Sequence, residues 1–343
     1  MKNKLKKYWI ILTTWEYWPW GLVYFPVYIY YLINLLKTGK WFYFSAVNPT
    51  MKNGGFFGNT KTEMYDLLPR DSYPKYSIHH GAEKINLDEI AKNISFPCIL
   101  KPNVGERGFG IIKINSINEL KAYHDSVKYE YLIQEFCDYE NELSVFCIKN
   151  IHTNTFEISS IVGKKLLSIV GDGVSTVCQL ILKDQRAFLQ TERLRLKWES
   201  KFEHVLNKNE ELILIDNANH SKGASFYLIK ENKTEIGNTF KNLSEKINGF
   251  NYGRFDVKYN TIEELLAGKY SIIELNGVGA EPIDMYIPKL SLWKGLSILV
   301  YHWKKMYEIA AYNMNVLGIK PISKKVGFAI LKKHKEYKGG EMW

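Results

Sequence analysis

Residues 272–286, IIELNGVGAEPIDMY, begin as an apolar strand and then become polar. Glu274 and Asn276 are two residues apart, so a strand would direct both side chains to the same face. Burying a bare carboxylate costs free energy unless a cation or a hydrogen-bond network compensates its charge. The stretch therefore predicts a polar site on one face of a sheet, in which a cation or a hydrogen-bond network balances the charge of Glu274.

A second predicted strand, residues 252–260 (YGRFDVKYN), supplies another acid, Asp256. Only a turn-bearing insertion separates the two strands, so we expect them to pair and to bring Asp256, Glu274 and Asn276 together. Oxygen ligands without histidine or cysteine are typical of Mg²⁺, with Mn²⁺ as an alternative. The pattern therefore favours a divalent cation as the compensating charge.

A lysine followed by a glycine-rich stretch lies upstream, in residues 96–110 (FPCILKPNVGERGFG). Lys101 comes at the end of a predicted strand that Pro102 stops. A lysine in this position can meet phosphate oxygens while the glycine backbone closes over them. The loop matches neither the P-loop nor the dinucleotide-binding fingerprint, and a surface lysine is the alternative interpretation. The order of the motifs, with the acids after the lysine and the glycines, favours a phosphate site.

The composition is that of a globular protein with an excess of positive charge. Of 343 residues, 46% are hydrophobic and 24% charged, and the formal net charge is +10, which favours an anionic partner. The chain has neither zinc-finger spacing nor a concentrated basic helix, which argues against nucleic acid. The four cysteines lie among apolar neighbours and predict reduced, buried thiols and a reducing compartment.

The amino-terminal segment differs from the rest of the chain. Residues 17–36, YWPWGLVYFPVYIYYLINLL, carry no charge and have lysines on both sides. The length suits a bilayer, but Pro19 and Pro26 interrupt the helix, and dense Trp and Tyr are typical of the headgroup level. We expect a kinked helix or re-entrant hairpin in one leaflet, on the cytoplasmic side of the membrane. The alternative is a pair of aromatic helices packed on the protein's own core or in a homodimer.

Strand and helix patterns interleave along the rest of the chain and predict an α+β fold with antiparallel strands. Ser116 and Glu119 fit a capping box at a helix start. Residues 86–92 predict a short helix, and residues 174–188 predict one continuous helix. Beyond Lys289 we expect two helical stretches, with one apolar face packed on the core or, alternatively, with a second interfacial surface.

Four motifs together resemble the ATP-grasp family, and most closely its D-alanine–D-alanine ligase and glutathione or cyanophycin synthetase branch. They are FPCILKPNVGERGFG, LIQEFCDYENELSV, GRFDVKY and IIELNG, and the resemblance covers about residues 61–285. It implies the ATP-grasp fold, in which two α+β subdomains clamp ATP between antiparallel sheets.

Together with the aromatic amino-terminal segment and the helical carboxy-terminal part, the resemblance predicts a division of the chain into five segments. They are a membrane-interface segment (1–45), a linker and small amino-terminal subdomain (46–95), a central ATP-grasp subdomain (96–150), a catalytic subdomain (151–287) and a helical basic carboxy-terminal extension (288–343).

The same resemblance assigns roles to single residues. Those implied to bind ATP are Lys101 and, as a weaker match, Lys61 for the phosphates, Gly105, Arg107, Gly108 and Gly110 in the lid loop, Glu135 with the backbone of Phe136 and Cys137 beside adenine, and Glu142 at the ribose. The implied metal ligands are Asp256, Glu274 and Asn276. Those implied in catalysis are Arg254 on the transferring phosphoryl group, with Arg186 and Lys222 facing phosphate or substrate, or else lying as surface charges.

The implied activity is an ATP- and Mg²⁺-dependent ligase that joins a carboxylate to an amine through an acyl phosphate. With the aromatic segment, this predicts an envelope or lipid-linked substrate. An ATP-grasp phosphotransferase and a non-catalytic nucleotide-binding membrane scaffold are the alternatives. Where dipeptide ligases have a Ser-Pro-Gly turn for the acceptor carboxylate, this chain has GVGAEP after Asn276, so D-alanine specificity is not implied.

Overall fold

The computed structural model describes residues 2–81, 83–84, 86, 89–90, 94–105 and 110–339. The strands are β1 (Tyr76–His80), β2 (Cys98–Pro102), β3 (Ile112–Ile114), β4 (Glu130–Glu135), β5 (Asn141–Asn150), β6 (Thr155–Lys165), β7 (Ser168–Val170), β8 (Glu211–Ile213), β9 (Ser225–Leu228), β10 (Tyr252–Tyr259) and β11 (Ser271–Asn276).

The α-helices that bear on the site and its surroundings are numbered in chain order. They are α1 (Lys2–Thr13), α2 (Trp20–Val23), α3 (Phe25–Thr38), α4 (Lys61–Tyr65), α5 (Ile117–Ser126), α6 (Val177–Lys183), α7 (Gln185–Leu189), α8 (Thr191–Trp198), α9 (Lys233–Lys246), α10 (Ile262–Leu266), α11 (Leu292–Asn315) and α12 (Lys324–Gly339).

The chain forms two compact units, each built from separated stretches. The smaller unit combines Met1–Tyr31, Val162–Leu228 and Ile283–Tyr301. The larger unit combines Leu32–Ile161, Ile229–Pro282 and His302–Trp343. The division of the chain into the five segments given above remains a prediction.

The larger unit contains two antiparallel sheets. One has the strand order β1-β4-β2-β3, and its apolar side packs under α5 in a core that includes Cys98, Leu100, Leu120 and Ile133. In the other, β11, β10, β5 and the first part of β6 lie side by side. Antiparallel sheets and interleaved helices confirm the predicted α+β class.

The second sheet is apolar on one face and polar on the other. Alternate residues of β5 and β10, such as Val145 and Phe255, pack with Phe240 of α9 in the main core. Because side chains alternate along a strand, the residues between them face the opposite side. That opposite face carries the polar residues predicted to form the site.

The pairing of β10 with β11 contains an irregularity. Asp256 lies opposite Glu274, but the next residue, Val257, lies opposite Ile272, so Ile273 has no partner in β10. This is a one-residue bulge in β11, directly before Glu274. Bulges of this kind often re-aim a side chain beside an active site.

The smaller unit surrounds its own apolar core, which includes Leu167, Ile181 and Leu214. The predicted continuous helix over residues 174–188 is wrong at Asp184, where the chain divides into α6 and α7. Asp184 has an extended conformation (φ −75°, ψ 129°), and its carboxylate accepts the Ala187 N–H at 2.7 Å. An aspartate favours such a cap because it satisfies a free N–H of the first helical turn.

The predicted capping box of α5 is half formed. Ser116 accepts the Glu119 N–H, but the Glu119 carboxylate accepts the N–H of Asn115 rather than that of Ser116. The short helix predicted for residues 86–92 falls largely outside the described residues. The carboxy-terminal prediction is confirmed in α11, whose Leu299, Met306 and Ile309 form one buried face.

The amino-terminal segment is interrupted as expected, since α2 ends at Val23 and α3 begins at Phe25. Within the described parts of the chain, no helix is both long enough and apolar enough to cross a bilayer. All four cysteines are free thiols, as predicted, although Cys137 and Cys178 are only partly buried.

Candidate active site

The predicted acids meet on the polar face of the second sheet of the larger unit. Ser144 of β5, Asp256 of β10 and Glu274 of β11 lie opposite one another in register. Arg254 lies opposite Asn276, two residues further along the same pair of strands, so all five residues occupy adjacent positions on one face of the sheet. The structure therefore brings Asp256, Glu274 and Asn276 together, as the spacing predicted.

Asp256 is buried and fully engaged. Arg254 donates from Nε and Nη2 to its two carboxylate oxygens at 3.0 Å each, and the Ser144 hydroxyl donates to the same carboxylate. Arg254 also donates to the Glu281 carbonyl at 2.8 Å. Burial opposes the charge of Arg254, but the carboxylates of Asp256, Glu274 and Glu281 outweigh it and raise the arginine pKa. Arg254 is therefore a fixed positive charge beside the acids.

Asn276 differs from its neighbours in the site because, within the described part of the chain, one of its polar side-chain atoms lacks a hydrogen-bond partner. Its buried Nδ2 has no hydrogen-bond partner among the described atoms. An orphaned buried amide costs free energy unless a bound group engages it. A metal-bound water or a phosphate oxygen would accept this N–H, and the amide oxygen is itself a ligand type that Mg²⁺ takes.

The oxygen donors of Asp256, Glu274 and Asn276 suit Mg²⁺ better than a softer metal. Over the described residues, no group of three or more His, Cys, Asp or Glu side chains could hold a metal ion. The candidate set consists instead of two carboxylates and one amide. With oxygen donors only and few protein ligands, such a site leaves positions for phosphate and water, as Mg²⁺ sites commonly do.

Lys101 is connected to this site through Tyr65, a residue that none of the sequence motifs includes. Lys101 lies on β2, is buried, and donates from Nζ to the Tyr65 hydroxyl at 2.7 Å. That hydroxyl donates in turn to the Ile273 carbonyl at 2.7 Å. One oxygen thus joins the predicted phosphate lysine to the bulge that precedes Glu274.

Lys101 has an unusual protonation equilibrium. Burial, with a further contribution from the charge of Lys61, lowers its pKa to about 7, while Glu274 opposes the change. A lysine in water titrates near pH 10.4, so this ammonium lacks the compensation it would need in the interior. An anionic ligand beside it would stabilise the charged form.

The short helix α4 carries both Lys61 and Tyr65. A complete capping box starts it, since Thr60 accepts the Glu63 N–H and Glu63 accepts the Thr60 N–H. Asn103, just after β2, holds the helix start by accepting the N–H groups of Lys61 and Thr62. Positions 61 and 65 lie one turn apart on the same helix side, which is the signal that could have identified Tyr65.

Two of the four residues predicted in the glycine loop, Gly105 and Gly110, are among the described residues. Lys61 donates from Nζ to the Gly105 carbonyl at 3.2 Å, which brings the weaker phosphate candidate to the loop. Gly110 has a positive φ of 67°, and a Cβ there would lie 2.8 Å from the Pro102 ring. Arg107 and Gly108 lie outside the described residues.

The residues predicted at the nucleoside end follow β4 into β5. Glu135 lies 4.0 Å from Lys75, and the Phe136 ring lies under the Lys113 ammonium at 3.9 Å. Burial raises the pKa of the Cys137 thiol, and a hydrogen bond with Ser271 opposes the change.

Glu142 is opposite Lys258 in register, one rung beyond Asp256 on the same face. The acid predicted at the ribose therefore shares the polar face with the predicted metal ligands.

The two remaining catalytic candidates belong to the smaller unit. Arg186 of α7 donates from Nη2 to both Glu16 oxygens, at 2.9 and 3.0 Å, and from Nη1 to the Ala224 carbonyl. His220 lies 3.5 Å from the same carboxylate. Lys222 lies in the neighbouring 3-10 turn His220–Lys222, and burial is the largest cause lowering its pKa. That the side chains of Arg186 and Lys222 face phosphate or substrate remains a prediction.

The turn after Asn276 packs against an upstream glycine pair. Val278 and Gly279 donate to the carbonyls of Gly54 and Gly55, at 3.1 and 3.0 Å. A Cβ on Gly277 would lie 2.5 Å from the Gly54 carbonyl oxygen, so the two backbones touch. This close approach accounts for glycine in the position where the sequence departs from the dipeptide ligases.

Comparison with known proteins gives the following matches. No protein-family model matches the chain. A 91-residue segment is 28% identical to the formate-dependent phosphoribosylglycinamide formyltransferase of Saccharolobus solfataricus, over 24% of this chain and 22% of that protein. The chain therefore spans less than a quarter of that curated relative.

Two solved structures show weak similarity over longer stretches. D-alanine–D-alanine ligase from Bacillus anthracis gives a TM-score of 0.42 at 14% identity, over 81% of this chain and 69% of that chain. A bifunctional glutathione synthetase from Pasteurella multocida gives 0.41 at 14% identity, over 76% and 37%.

The architecture and the site rest on this chain's own strands, registers and contacts.

Proposed function

We propose that the chain is an ATP-dependent ligase that joins a carboxylate to an amine through an acyl phosphate and uses Mg²⁺. One observation carries the proposal: the Tyr65 hydroxyl holds Lys101 and the bulge before Glu274 in one hydrogen-bonded unit. A phosphate-binding lysine and a carboxylate–amide cluster in fixed relation are what phosphoryl transfer from a nucleotide requires.

Asp256, Glu274 and Asn276 would hold the Mg²⁺. When bound, the ion neutralises charge on the nucleotide phosphates. Arg254 already neutralises Asp256. We therefore assign Glu274, which has no direct ion pair among the described contacts, as the carboxylate most available to a cation.

The cationic residues supply the remaining stabilisation. Lys101 and Lys61 would neutralise phosphate oxygens, and the Arg254 guanidinium lies beside the acids to meet charge on the transferring group. In the first step a substrate carboxylate oxygen attacks the γ-phosphorus, the bond to the β-phosphate oxygen breaks, and ADP leaves. In the second step the amine nitrogen attacks the acyl carbon, phosphate leaves, and the nitrogen loses a proton.

A phosphate-release screen tests this activity. The purified chain is incubated with ATP, Mg²⁺ and a matrix of carboxylates and amines, including lipid-linked ones. Phosphate release that requires both an acid and an amine supports the ligase. A stable phosphorylated product would support the phosphotransferase, and nucleotide binding without release would support the scaffold.

A matched pair of variants links the activity to the site. Glu274→Gln keeps the side-chain volume and removes the charge, so we expect turnover to fall by at least about a hundredfold, as for other lost transition-state charges. Glu263→Gln alters an exposed carboxylate of α10, in the connection between the same two strands, and should leave turnover unchanged. Equal turnover in both variants would overturn the assignment of Glu274.

We further propose that the reaction takes place at the cytoplasmic face of a membrane, on an envelope or lipid-linked substrate. The support is the uncharged aromatic segment between lysines and the apolar side chains that α1 and α3 expose. Activity in the screen that requires a lipid-linked acid or amine would support this substrate class, and full activity with water-soluble substrates alone would oppose it.

A further inference from the structure

Helix α1 presents its apolar face outward. Leu5, Tyr8, Trp9 and Leu12 follow the i, i+3, i+4, i+7 spacing of one helix face, and each is between 64% and 71% exposed. On the surface of a globular protein the face with this spacing is normally the buried one. The orientation of α1 is therefore inverted relative to an ordinary surface helix.

The other side of α1 holds the helix in this orientation. Ile10 is buried, and Lys6 donates from Nζ to the Leu182 carbonyl at 2.7 Å while it lies 4.4 Å from the centre of the Phe188 ring. A lysine that hydrogen-bonds inward leaves the leucines and aromatic rings facing out. The exposed face is thus a consequence of defined contacts.

Helix α3 has the same property. Val27 and Asn34 are buried, whereas the opposite side of the helix is exposed. The exposed apolar residues of α3, between 39% and 84% exposed, are Phe25, Tyr28, Ile29, Leu32, Ile33 and Leu36. Contiguous apolar surface of this kind on a protein marks an interaction site.

The charge around these helices identifies the partner. Residues 1–60 contain seven lysines and one acid, Glu16. Arg186 neutralises that acid, while Lys4, Lys37 and Lys40 are exposed. A second copy of the chain would bring the same positive charge against itself, whereas an anionic lipid surface is complementary to it. Trp and Tyr on the exposed faces also suit the headgroup layer.

We infer that the outward face of α1 and the outward face of α3, here called the docking faces, each insert into the surface of an anionic bilayer. With 14 residues at 1.5 Å each, α3 is about 21 Å long, which suits a helix lying in the plane of the interface. The inference deepens the membrane location proposed above and is independent of the ATP chemistry.

Point variants test the docking faces better than truncation. Tyr43 and Ser45 are buried, and Ser45 accepts the Ile322 N–H, so removing the amino terminus would disturb the core. Replacing Leu5, Tyr8, Trp9 and Leu12 together by serine alters only exposed side chains. Thermal unfolding of the variant checks that it folds like the wild type.

The assay is flotation of the full chain with vesicles of phosphatidylcholine alone or mixed with phosphatidylglycerol. We expect the wild type to float with the mixed vesicles and the α1 variant to bind at least about tenfold more weakly, equivalent to about 1.4 kcal/mol. The matched control replaces four exposed apolar residues elsewhere by serine, Val174, Leu196, Val316 and Leu317, and should float like the wild type.

Three outcomes overturn the inference. They are equal flotation of the wild type and the α1 variant, absence of flotation of the wild type, and a dimer in solution that the α1 variant abolishes while neither protein floats. Nucleotide binding measured on the same variants separates the two proposals. The α1 variant should bind ATP like the wild type, and loss of the ATP chemistry would leave the flotation result unaffected.

Discussion

The Tyr65 hydroxyl is a single oxygen that two parts of the site share, and replacing Tyr65 by phenylalanine removes it. Lys101 then loses the acceptor at 2.7 Å, and the Ile273 carbonyl loses its donor at 2.7 Å. Both groups are in the interior of the larger unit, where Tyr65 is 1% exposed. The ring itself and its packing are retained, so the change isolates the hydrogen bonds.

The expected magnitude follows from these two contacts. An unsatisfied buried group costs about 1–3 kcal/mol, so two of them should lower the free energy of unfolding by about 2–6 kcal/mol. At about 2–4 °C per kcal/mol, Tm should fall by about 4–24 °C. The freed bulge no longer holds Glu274 in place, and we expect kcat/KM for ATP to fall by about 10- to 100-fold, or about 1.4–2.8 kcal/mol.

Tyr73→Phe is the control, because the two rings stack at 4.7 Å and, among the described residues, the Tyr73 hydroxyl accepts a hydrogen bond only from Arg70. It should change the free energy of unfolding by less than about 1 kcal/mol, the usual net value of one accessible hydrogen bond. Thermal unfolding and ATP titration of phosphate release measure both variants. If Tyr65→Phe matches Tyr73→Phe in Tm and in kcat/KM, the hydroxyl does not hold the site together.

Three further perturbations have defined signs. Because the pKa of Lys101 is about 7, ATP affinity should fall by up to about tenfold for each pH unit above that value. Calorimetry in two buffers should detect proton uptake on ATP binding. Binding without proton uptake at about one pH unit above the pKa would contradict the role of Lys101. Glu16→Gln leaves the charge of the largely buried Arg186 uncompensated and should lower the free energy of unfolding by about 2–3 kcal/mol. Adding Arg186→Met should restore the lost stability. Failure of the second substitution to restore it would mean that the pair does not act as a unit. Burial lowers the pKa of His302 to about 3, so the unfolded chain binds the extra proton below about pH 6.5 and stability falls as pH decreases from there. Replacing His302 by asparagine should flatten that fall by up to about 1.4 kcal/mol per pH unit in urea unfolding, and an unchanged pH profile would rule His302 out.

Much of the site could be predicted because it depends on local patterns. The two-residue spacing of Glu274 and Asn276 fixes a common face in any strand, and a short connection makes pairing with the strand of Asp256 the expected topology. The bulge at Ile273 could not be predicted, because register is a property of two strands and not of either sequence. The ion pair between Glu16 and Arg186 could not be predicted for a similar reason, since it joins residues separated by 170 positions.

The helix break at Asp184 shows a different limit. The apolar periodicity continues through that position and favours one unbroken helix. The competing effect is a side-chain cap, in which an aspartate binds a backbone N–H and starts a new helix. Both effects are encoded locally, and their energies differ too little for the pattern alone to decide between them.

The bulge at Ile273 has a consequence for the length of β11. Ile272 and Leu275 both pack in the main core, although residues three apart in a regular strand point to opposite sides. The additional residue shifts the alternation by one step, so the strand can send both apolar side chains inward and still send Glu274 and Asn276 outward. Deleting Ile273 would place Ile272 and Leu275 two residues apart, so a regular strand would still send both inward and Glu274 outward. The deletion would instead remove the carbonyl that accepts the Tyr65 hydroxyl at 2.7 Å. The extra residue is therefore needed for the backbone contact beside the acid, and the in-and-out order of the neighbouring side chains would survive without it.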